Sequence, residues 1–175
     1  MKKDFLIPIL VLSLICLLMS GALAAGHSIT RPVIEEAAAE RAEAARMEII
    51  PNASAFVLIP PEGLPGSVVE AYSVDGGQAG FLFTVVTTGY GGKFTILCGV
   101  GPDGRILKTK VLAHSETQGL GTVVFDQKAP EYEGKDADHI SGIDAVAGST
   151  ITSKAYKQGV EDAFKAYEIV KGARP

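Results

Sequence analysis

The chain has 175 residues, of which 47% are hydrophobic and 21% are charged, and its formal net charge is −4. This composition excludes a disordered chain, and no basic patch interleaved with aromatic residues points to a nucleic-acid partner. Beyond the N-terminal segment, the remaining length is that of one ordinary domain with enough residues to bury a core.

An uncharged segment, residues 5–25, follows Lys2 and Lys3. About 20 apolar residues suffice for a transmembrane helix. Because the next basic residue is Arg31, the positive-inside rule predicts a cytoplasmic N-terminus, residues 1–4, and an extracytoplasmic domain. The alternative is a cleaved signal peptide with "ALA" at 22–24 as its cleavage site, and either interpretation exports the domain.

Residues 26–52 are rich in alanine and acidic side chains, which predicts a helical stalk. Thr30 is its candidate N-cap and Pro51 its stop. Residues 53–175 then form the extracytoplasmic domain.

Short hydrophobic runs separated by turn sequences follow the stalk and predict an antiparallel sheet. The predicted strands are residues 55–59, 68–74, 80–88, 93–100 and 105–113. The turn "GYGG" at 89–92 separates the third strand from the fourth, and "GPDG" at 101–104 separates the fourth from the fifth. Cys98 lies in the fourth run and is interpreted as a small core residue.

The last predicted element is an amphipathic helix over residues 153–172, with Thr152 or Ser153 as its N-cap. Its apolar face comprises Tyr156, Val160, Ala163, Phe164, Tyr167 and Val170. The predicted fold class is therefore α+β, an antiparallel sheet with packed helices, preceded by one N-terminal transmembrane helix.

Two stretches of the sequence contain candidate functional residues. In "HSETQGLGT", residues 114–122, Glu116 and Thr117 stand beside two glycines that permit close backbone approach, although a turn after a strand has the same composition. In "DAVAGST", residues 144–150, Thr150 lies at the entrance to the last helix, where a phosphate is favoured. The simpler interpretation of Thr150 is a helix cap. No metal site and no catalytic nucleophile–base arrangement is predicted.

"DAVAGST" resembles the flavinylation motif of the covalent FMN-binding domain family, in which a flavin transferase joins the phosphate of FMN to a terminal Thr or Ser. By this resemblance Asp144 is the aspartate recognised by the transferase, Gly148 the glycine and Thr150 the acceptor. Ala147 stands where Ser or Thr is usual, and Ser149 stands where Ala is usual. Ser149 is therefore an alternative acceptor.

"HSETQGLGT" is similar to a second signature of that family, with Gln118 in place of the usual proline. The two resemblances together imply a set of residues close to the flavin. These are Thr150, Glu116, Thr117, Gly119, Leu120, Gly121, Gly148 and Ser149.

The order of segments along nearly the whole chain resembles the G subunits of Rnf electron-transport complexes, which are related to the C subunit of sodium-translocating NADH:quinone reductase. The resemblance implies a covalent FMN that relays electrons in a membrane complex coupling ferredoxin/NAD electron transfer to ion translocation. The implied partners are the other subunits, a flavin transferase for maturation, and the lipid bilayer around residues 5–25. NAD, ferredoxin and iron–sulfur clusters would be bound by other subunits, because the chain has neither a dinucleotide fingerprint nor an iron–sulfur cysteine pattern.

Two alternatives remain open at the level of sequence. One alternative to the Rnf-type subunit is a flavin-free, anchored binding or assembly module in which Thr150 only caps a helix. The other is a stand-alone FMN electron carrier that serves another reductase.

Overall fold

The computed structural model of the chain describes residues 2–172. In chain order its helices and strands are α1 (Lys2–Ile49), β1 (Phe56–Ile59), β2 (Val68–Val74), β3 (Gly80–Thr88), β4 (Lys93–Val100), β5 (Ile106–His114), α2 (Thr122–Tyr132) and α3 (Thr150–Gly172). A long apolar helix precedes a five-stranded antiparallel sheet packed with two helices, and this confirms the predicted fold class.

The contacts divide the chain after Arg41 into two units. The first unit is the N-terminal part of α1. Within α1 an 18-residue window has a mean hydropathy of 2.6 and none of it is buried. Among the residues that the structure describes, α1 alone is long and apolar enough to cross a membrane.

Helix α1 is continuous through Thr30, so the predicted N-cap of a separate stalk helix at Thr30 is wrong. The Thr30 hydroxyl donates to the carbonyl oxygen of Gly26 at 3.0 Å, one turn back along the same helix. Such a bond satisfies the hydroxyl without ending the helix. The helix ends at Ile49, and Pro51 lies in the turn that follows.

The second unit contains the sheet, in which each strand pairs antiparallel with its neighbour in the chain, in the order β1-β2-β3-β4-β5. The five strands match the predicted runs to within a residue at either end. The β4–β5 turn closes at Gly104, whose φ of +84° suits glycine. Two irregularities in the β4–β5 register, at Thr95/Ile96 and Gly99/Val100, interrupt the ladder.

Helices α2 and α3 cover one face of the sheet. All six apolar residues predicted for α3 are buried there, with Phe83, Phe94 and Ile96 from the strands. The Tyr156 hydroxyl donates to Thr109 Oγ1 at 2.8 Å, which satisfies a polar atom inside this core. Cys98 is fully buried in the same cluster, and burial raises the pKa of its thiol to about 12. The interpretation of Cys98 as a core residue is confirmed.

The opposite face of the sheet is covered by the last two turns of α1, which belong to the second unit. Ala45 and Ile49 are buried there against Leu82 and Leu97. The end of α1 can approach β4 this closely because β4 has a glycine, Gly99, at the contact. A Cβ atom on Gly99 would lie 2.3 Å from Ile49 Cγ2.

An ion-pair cluster fixes the same end of α1. The Glu48 carboxylate accepts from Lys108 Nζ at 2.8 Å and also from Lys110 Nζ. These hydrogen bonds lower the pKa of Glu48 to about 2. The folded unit thus begins at Ala42, further toward the N-terminus than residue 53.

Two features of the helices differ from the sequence expectation. Helix α2 was not predicted, and α3 begins at Thr150, so the predicted N-caps Thr152 and Ser153 lie inside its first turn. The first backbone hydrogen bond of α3 runs from Ser153 N–H to Ser149 O at 2.9 Å. The cap position is therefore Ser149, three residues before Thr152 and four before Ser153.

Candidate functional site

The carboxylate of Glu116 lies at the centre of the candidate site. Glu116 is only 8% exposed. Its Oε2 accepts from the Gly91 N–H at 3.1 Å, in the β3–β4 turn, residues 89–92. Its Oε1 is buried and has no hydrogen-bond partner among the described residues. A buried carboxylate oxygen without a partner is costly, which indicates that this position serves more than stability.

Three glycines make the space that this carboxylate occupies. A Cβ on Gly89 would lie 2.0 Å from Glu116 Oε1, and a Cβ on Gly121 would lie 2.2 Å from Oε2. A Cβ on Gly91 would lie 2.5 Å from Ser115 O. Gly89 and Gly91 of "GYGG" and Gly121 of "GLG" therefore enclose the Glu116 side chain, whereas a Cβ on Gly119 would meet nothing within 4 Å.

Residues 144–150, named here the acceptor segment, reach the same place from the other side. Gly148 has a φ of +81°, a backbone conformation that favours glycine, directly before α3. The Ser149 hydroxyl donates to Leu120 O at 2.6 Å and is buried. This bond ties the acceptor segment to the loop that contains Glu116.

The hydroxyls around the start of α3 differ in accessibility. Thr150 is exposed, and its hydroxyl has no hydrogen-bond partner in the described part of the chain. Ser149, Thr152 and Ser153 are all buried. Thr152 Oγ1 accepts from Tyr90 N–H at 3.4 Å, and the Ser153 hydroxyl donates to Ser149 O at 2.9 Å. Thr150 is thus the one hydroxyl of these four that a reactant can approach.

The backbone at Thr150 is suited to an anion. The amides of residues 150–152 precede the first hydrogen bond of α3, so they have no acceptor within the helix. Helix α3 is 23 residues long, and the positive end of its dipole lies at these amides. A phosphate on Thr150 would therefore meet both free N–H groups and a favourable field.

A cavity of about 430 Å³ opens beside Thr150. We call it the Thr150 pocket. Its lining residues are Tyr90, Glu116, Thr117, Leu120, Gly121, Gly148, Ser149, Thr150, Ile151 and Thr152. The structure thus brings together residues of three segments that are far apart in the sequence, in a volume typical of small-molecule sites.

The pocket contains seven of the eight residues predicted to lie close to a flavin. The exception is Gly119, which has a φ of +75° and whose N–H donates to Thr122 Oγ1 at 2.9 Å. Sequence reasoning missed Tyr90, Ile151 and Thr152. For Tyr90 the available signal was an aromatic residue inside the glycine-rich "GYGG" turn.

Asp144 lies away from the Thr150 pocket. It lines a separate depression of about 240 Å³ together with Ser141, Lys154 and Lys157. The carboxylate is exposed there. Asp144 is therefore placed where another protein can contact it, rather than where it would touch a group in the Thr150 pocket.

Comparisons with known proteins identify the class to which this site belongs. Residues 89–165 match the FMN-binding domain family, so the chain carries an FMN-binding domain. These residues include the β3–β4 turn, Glu116 and Thr150.

Relatives across most of the chain are G subunits of ion-translocating oxidoreductase complexes. The chain is 29% identical to the G subunit of the Na⁺-translocating ferredoxin:NAD⁺ oxidoreductase complex of Acetobacterium woodii, over 91% of this chain and 89% of that protein. It is 26% identical to the G subunit of the proton-translocating ferredoxin:NAD⁺ oxidoreductase complex of Clostridium ljungdahlii, over 93% of this chain and 91% of that protein. It is also 31% identical to the G subunit of the ion-translocating oxidoreductase complex of Cereibacter sphaeroides, over 76% of this chain and 64% of that protein. The family resemblance predicted from the sequence is confirmed.

Proposed function

We propose that this protein is a membrane-anchored flavoprotein subunit that relays electrons through FMN covalently attached to Thr150. The observation that carries the proposal is the accessibility of one hydroxyl. Thr150 is exposed at the Thr150 pocket, whereas Ser149, Thr152 and Ser153 are buried. The amides of residues 150–152 would hold the phosphate, and the alternative acceptor Ser149 is less accessible because its hydroxyl is bonded to Leu120 O.

The other residues of the pocket fit the ring system of FMN. The volume of about 430 Å³ suits a small organic cofactor. Tyr90, Leu120 and Ile151 offer apolar surface at its rim, with exposed fractions of 73%, 46% and 56%. Glu116 adds a polar atom without a protein partner, Oε1, in the wall. Such a combination of apolar walls and few polar groups is typical of cofactor sites.

In this proposal the protein supplies attachment, orientation and electrostatics. FMN, when attached, supplies the electron-accepting and electron-donating chemistry. Thr150 and the amides at the start of α3 would hold the phosphate, and the apolar rim of Tyr90, Leu120 and Ile151 would shield the ring from water. The Glu116 carboxylate opposes negative charge nearby, so it would lower the tendency of the flavin to accept electrons.

We further propose that the chain works in an Rnf-type complex that couples ferredoxin/NAD electron transfer to ion translocation. The support is the similarity, over most of its length, to G subunits named for sodium- and proton-translocating ferredoxin:NAD⁺ oxidoreductases. The partners would then be the other subunits and, during maturation, a flavin transferase that recognises Asp144. Residues 5–25 would anchor the chain in the bilayer, with residues 1–4 in the cytoplasm and residues 26–175 outside, where the folded unit begins at Ala42.

The attachment is tested by coexpressing the full chain with a flavin transferase. We expect a fluorescent band that survives denaturing electrophoresis, and peptide mass mapping that places the added FMN phosphoryl group on Thr150. Thr150→Ala should abolish the band. Thr150→Ser should retain it because the hydroxyl is kept, and Thr152→Ala should retain it because the acceptor is unchanged.

Two results would contradict the proposal in different ways. Loss of the band in Ser149→Ala or Thr152→Ala, but not in Thr150→Ala, would show that another hydroxyl is the acceptor. A colourless parent protein would favour the flavin-free module in which Thr150 only begins a helix.

A further inference from the structure

We infer that Tyr90 covers the flavin ring in the Thr150 pocket, and that Glu116 and Thr152 are positioning residues for the turn that carries it. This inference rests on the proposed attachment of FMN to Thr150. The inference goes beyond that attachment because it assigns a ring contact to Tyr90, a residue that no sequence signature singled out.

Tyr90 is an unusual aromatic residue in this chain. Its exposed fraction is 73%, and among the described side chains no other tyrosine or phenylalanine is a large exposed hydrophobic residue. Isolated exposed apolar side chains are common on proteins and by themselves need no explanation. Tyr90 differs because it lines the cavity of about 430 Å³ beside Thr150 and Leu120.

Hydrogen bonds to two side chains hold the backbone of the turn at Tyr90. Tyr90 N–H donates to Thr152 Oγ1 at 3.4 Å, and the next amide, Gly91 N–H, donates to Glu116 Oε2 at 3.1 Å. Both acceptors belong to buried residues, with Thr152 1% and Glu116 8% exposed. A third bond, from Gly89 N–H to Gly92 O at 2.9 Å, closes the turn.

This arrangement holds the backbone of the β3–β4 turn, while the side chain of Tyr90 stays 73% exposed. It also connects the turn to both segments of the site, since Thr152 belongs to α3 and Glu116 to the loop before α2. A rigid turn that presents an aromatic ring beside a cavity lowers the cost of ordering that ring when a flat ligand binds. An isoalloxazine ring is flat and aromatic, so stacking against tyrosine is favourable.

The test uses an optical property of the flavin rather than electron-transfer activity. Tyrosine in contact with an excited flavin donates an electron to it, and the electron then returns to the tyrosine without emission of light, so both groups regain their ground states and contact quenches fluorescence. The full chain is flavinylated by coexpression, and native fluorescence is divided by that of the same sample after complete proteolysis. We expect this ratio to be low for the parent protein, because Tyr90 lies against the ring.

Substitutions at Tyr90 should change the ratio without changing attachment. Tyr90→Leu should raise it, because leucine is not an electron donor, while mass mapping still finds FMN on Thr150. Tyr90→Trp should keep it low, because tryptophan is aromatic and donates more readily. Leu58→Ala is the matched control, because Leu58 is 59% exposed on β1 and does not line the pocket. The control should retain the parental ratio.

The positioning roles are tested by substitutions that remove a hydrogen-bond acceptor. Thr152→Val removes the acceptor for Tyr90 N–H at nearly constant volume, and it should raise the ratio part of the way toward that of Tyr90→Leu. Glu116→Met removes the acceptor for Gly91 N–H and should also raise the ratio, whereas Glu116→Gln keeps an oxygen that can accept and should leave it low. Equal ratios in the two Glu116 variants would overturn the positioning role of Glu116.

The outcomes separate this inference from the proposal on which it rests. A parent without FMN on Thr150 overturns both. A flavinylated parent whose ratio is unchanged by Tyr90→Leu overturns the ring contact alone, and attachment to Thr150 stands. If Tyr90→Leu raises the ratio but Thr152→Val does not, the ring contact stands and the positioning role of Thr152 is overturned.

Discussion

The two faces of the sheet are closed by different kinds of contact. On one face, α2 and α3 bury a large cluster rich in aromatic side chains, including Phe94 and Tyr156. On the other face, the end of α1 buries a small cluster around Ile49 and adds the ion pairs of Glu48. The Thr150 pocket lies at the start of α3, so it depends on the first face. We therefore expect changes to the aromatic face to disturb the site more than changes to the second face, which packs against the end of α1.

The largest expected effect comes from opening the aromatic face. Tyr156→Ala removes a fully buried ring and its hydrogen bond to Thr109, and we expect it to lower the free energy of unfolding by about 3–5 kcal/mol. Thermal unfolding of the full chain in detergent measures this change. Tyr156→Phe is the matched control and should cost only about 1 kcal/mol, because it loses the hydrogen bond alone. A small effect of Tyr156→Ala would contradict the assignment of this face as the main core.

A smaller loss of stability is expected from crowding the second face. Gly99→Ala places a Cβ where Ile49 Cγ2 would lie 2.3 Å away. Overpacking of this kind costs about 1–3 kcal/mol. Since the α3 face is untouched, flavinylation of Thr150 should persist.

A second substitution sharpens this test. Ile49→Ala removes the clashing methyl group, so the double variant should be more stable than the sum of the two single effects predicts. Strict additivity of Gly99→Ala and Ile49→Ala in thermal unfolding would show that the end of α1 does not pack against β4 in solution.

Glu116→Gln should change the reduction potential of a flavin in the Thr150 pocket. Removing the carboxylate should raise the reduction potential of the attached flavin, by an energy on the order of 2 kcal/mol for a charge about 8 Å from the ring at an effective dielectric constant of about 20. Redox titration of the flavinylated chain measures the shift. Glu168→Gln is the matched control, because Glu168 is an exposed acidic residue of α3 that does not line the Thr150 pocket. Overlaying titrations of parent and Glu116→Gln would place Glu116 away from the ring.

The smallest effect is expected from the ion pairs on the second face. Glu48 has its pKa lowered from 4.5 to about 2 by hydrogen bonds from Lys108 and Lys110. A carboxylate with a depressed folded-state pKa stabilises the fold above its unfolded-state pKa and loses that contribution as the pH falls through the folded-state value. Because the groups are well exposed, the gain is only about 0.2–1 kcal/mol.

Denaturant unfolding across pH tests this contribution. Glu48→Gln should be less stable than the parent at neutral pH, and the difference should shrink between pH 4.5 and about 2. Glu43→Gln is the control, since Glu43 is exposed on the same helix and forms no ion pair with the described residues. A difference between Glu48→Gln and the parent that persists undiminished below about pH 2 would exclude the ion pairs as its source.

Local patterns predicted most of the second unit. Each strand is bounded by turn residues and is enriched in apolar side chains, and α3 shows a clear 3.6-residue period, so neither depends on distant contacts to be recognised. Helix α2 was missed because its pattern is weak and Pro130 lies inside it. Burial of Val124 and Tyr132 in the core stabilises that helix.

Motifs in the sequence identified most residues of the candidate site. They did not predict the hydrogen bonds that join these residues. Glu116 accepts from Gly91 and Ser149 donates to Leu120 across separations of 25 and 29 residues, and neither pairing leaves a local signal. Helix α3 begins directly after Ser149, the residue held by the second of these bonds, and not after the predicted capping residues. Tyr90 was missed because an aromatic residue in a turn has no periodicity.

The order of the strands also bears on how the protein folds. Every strand pairs with its neighbour in the chain, so each hairpin closes a short loop at little cost in chain entropy. Helix α3 instead docks on β3, where Thr87 Oγ1 donates to Ala155 O across 68 residues. We therefore expect the hairpins to form first and α3 to dock last, which stopped-flow refolding of variants in β4 and α3 can order. Thr150 would then reach its position beside the pocket only in the closing step of folding, so an unfinished chain would present the acceptor segment without the rest of the site.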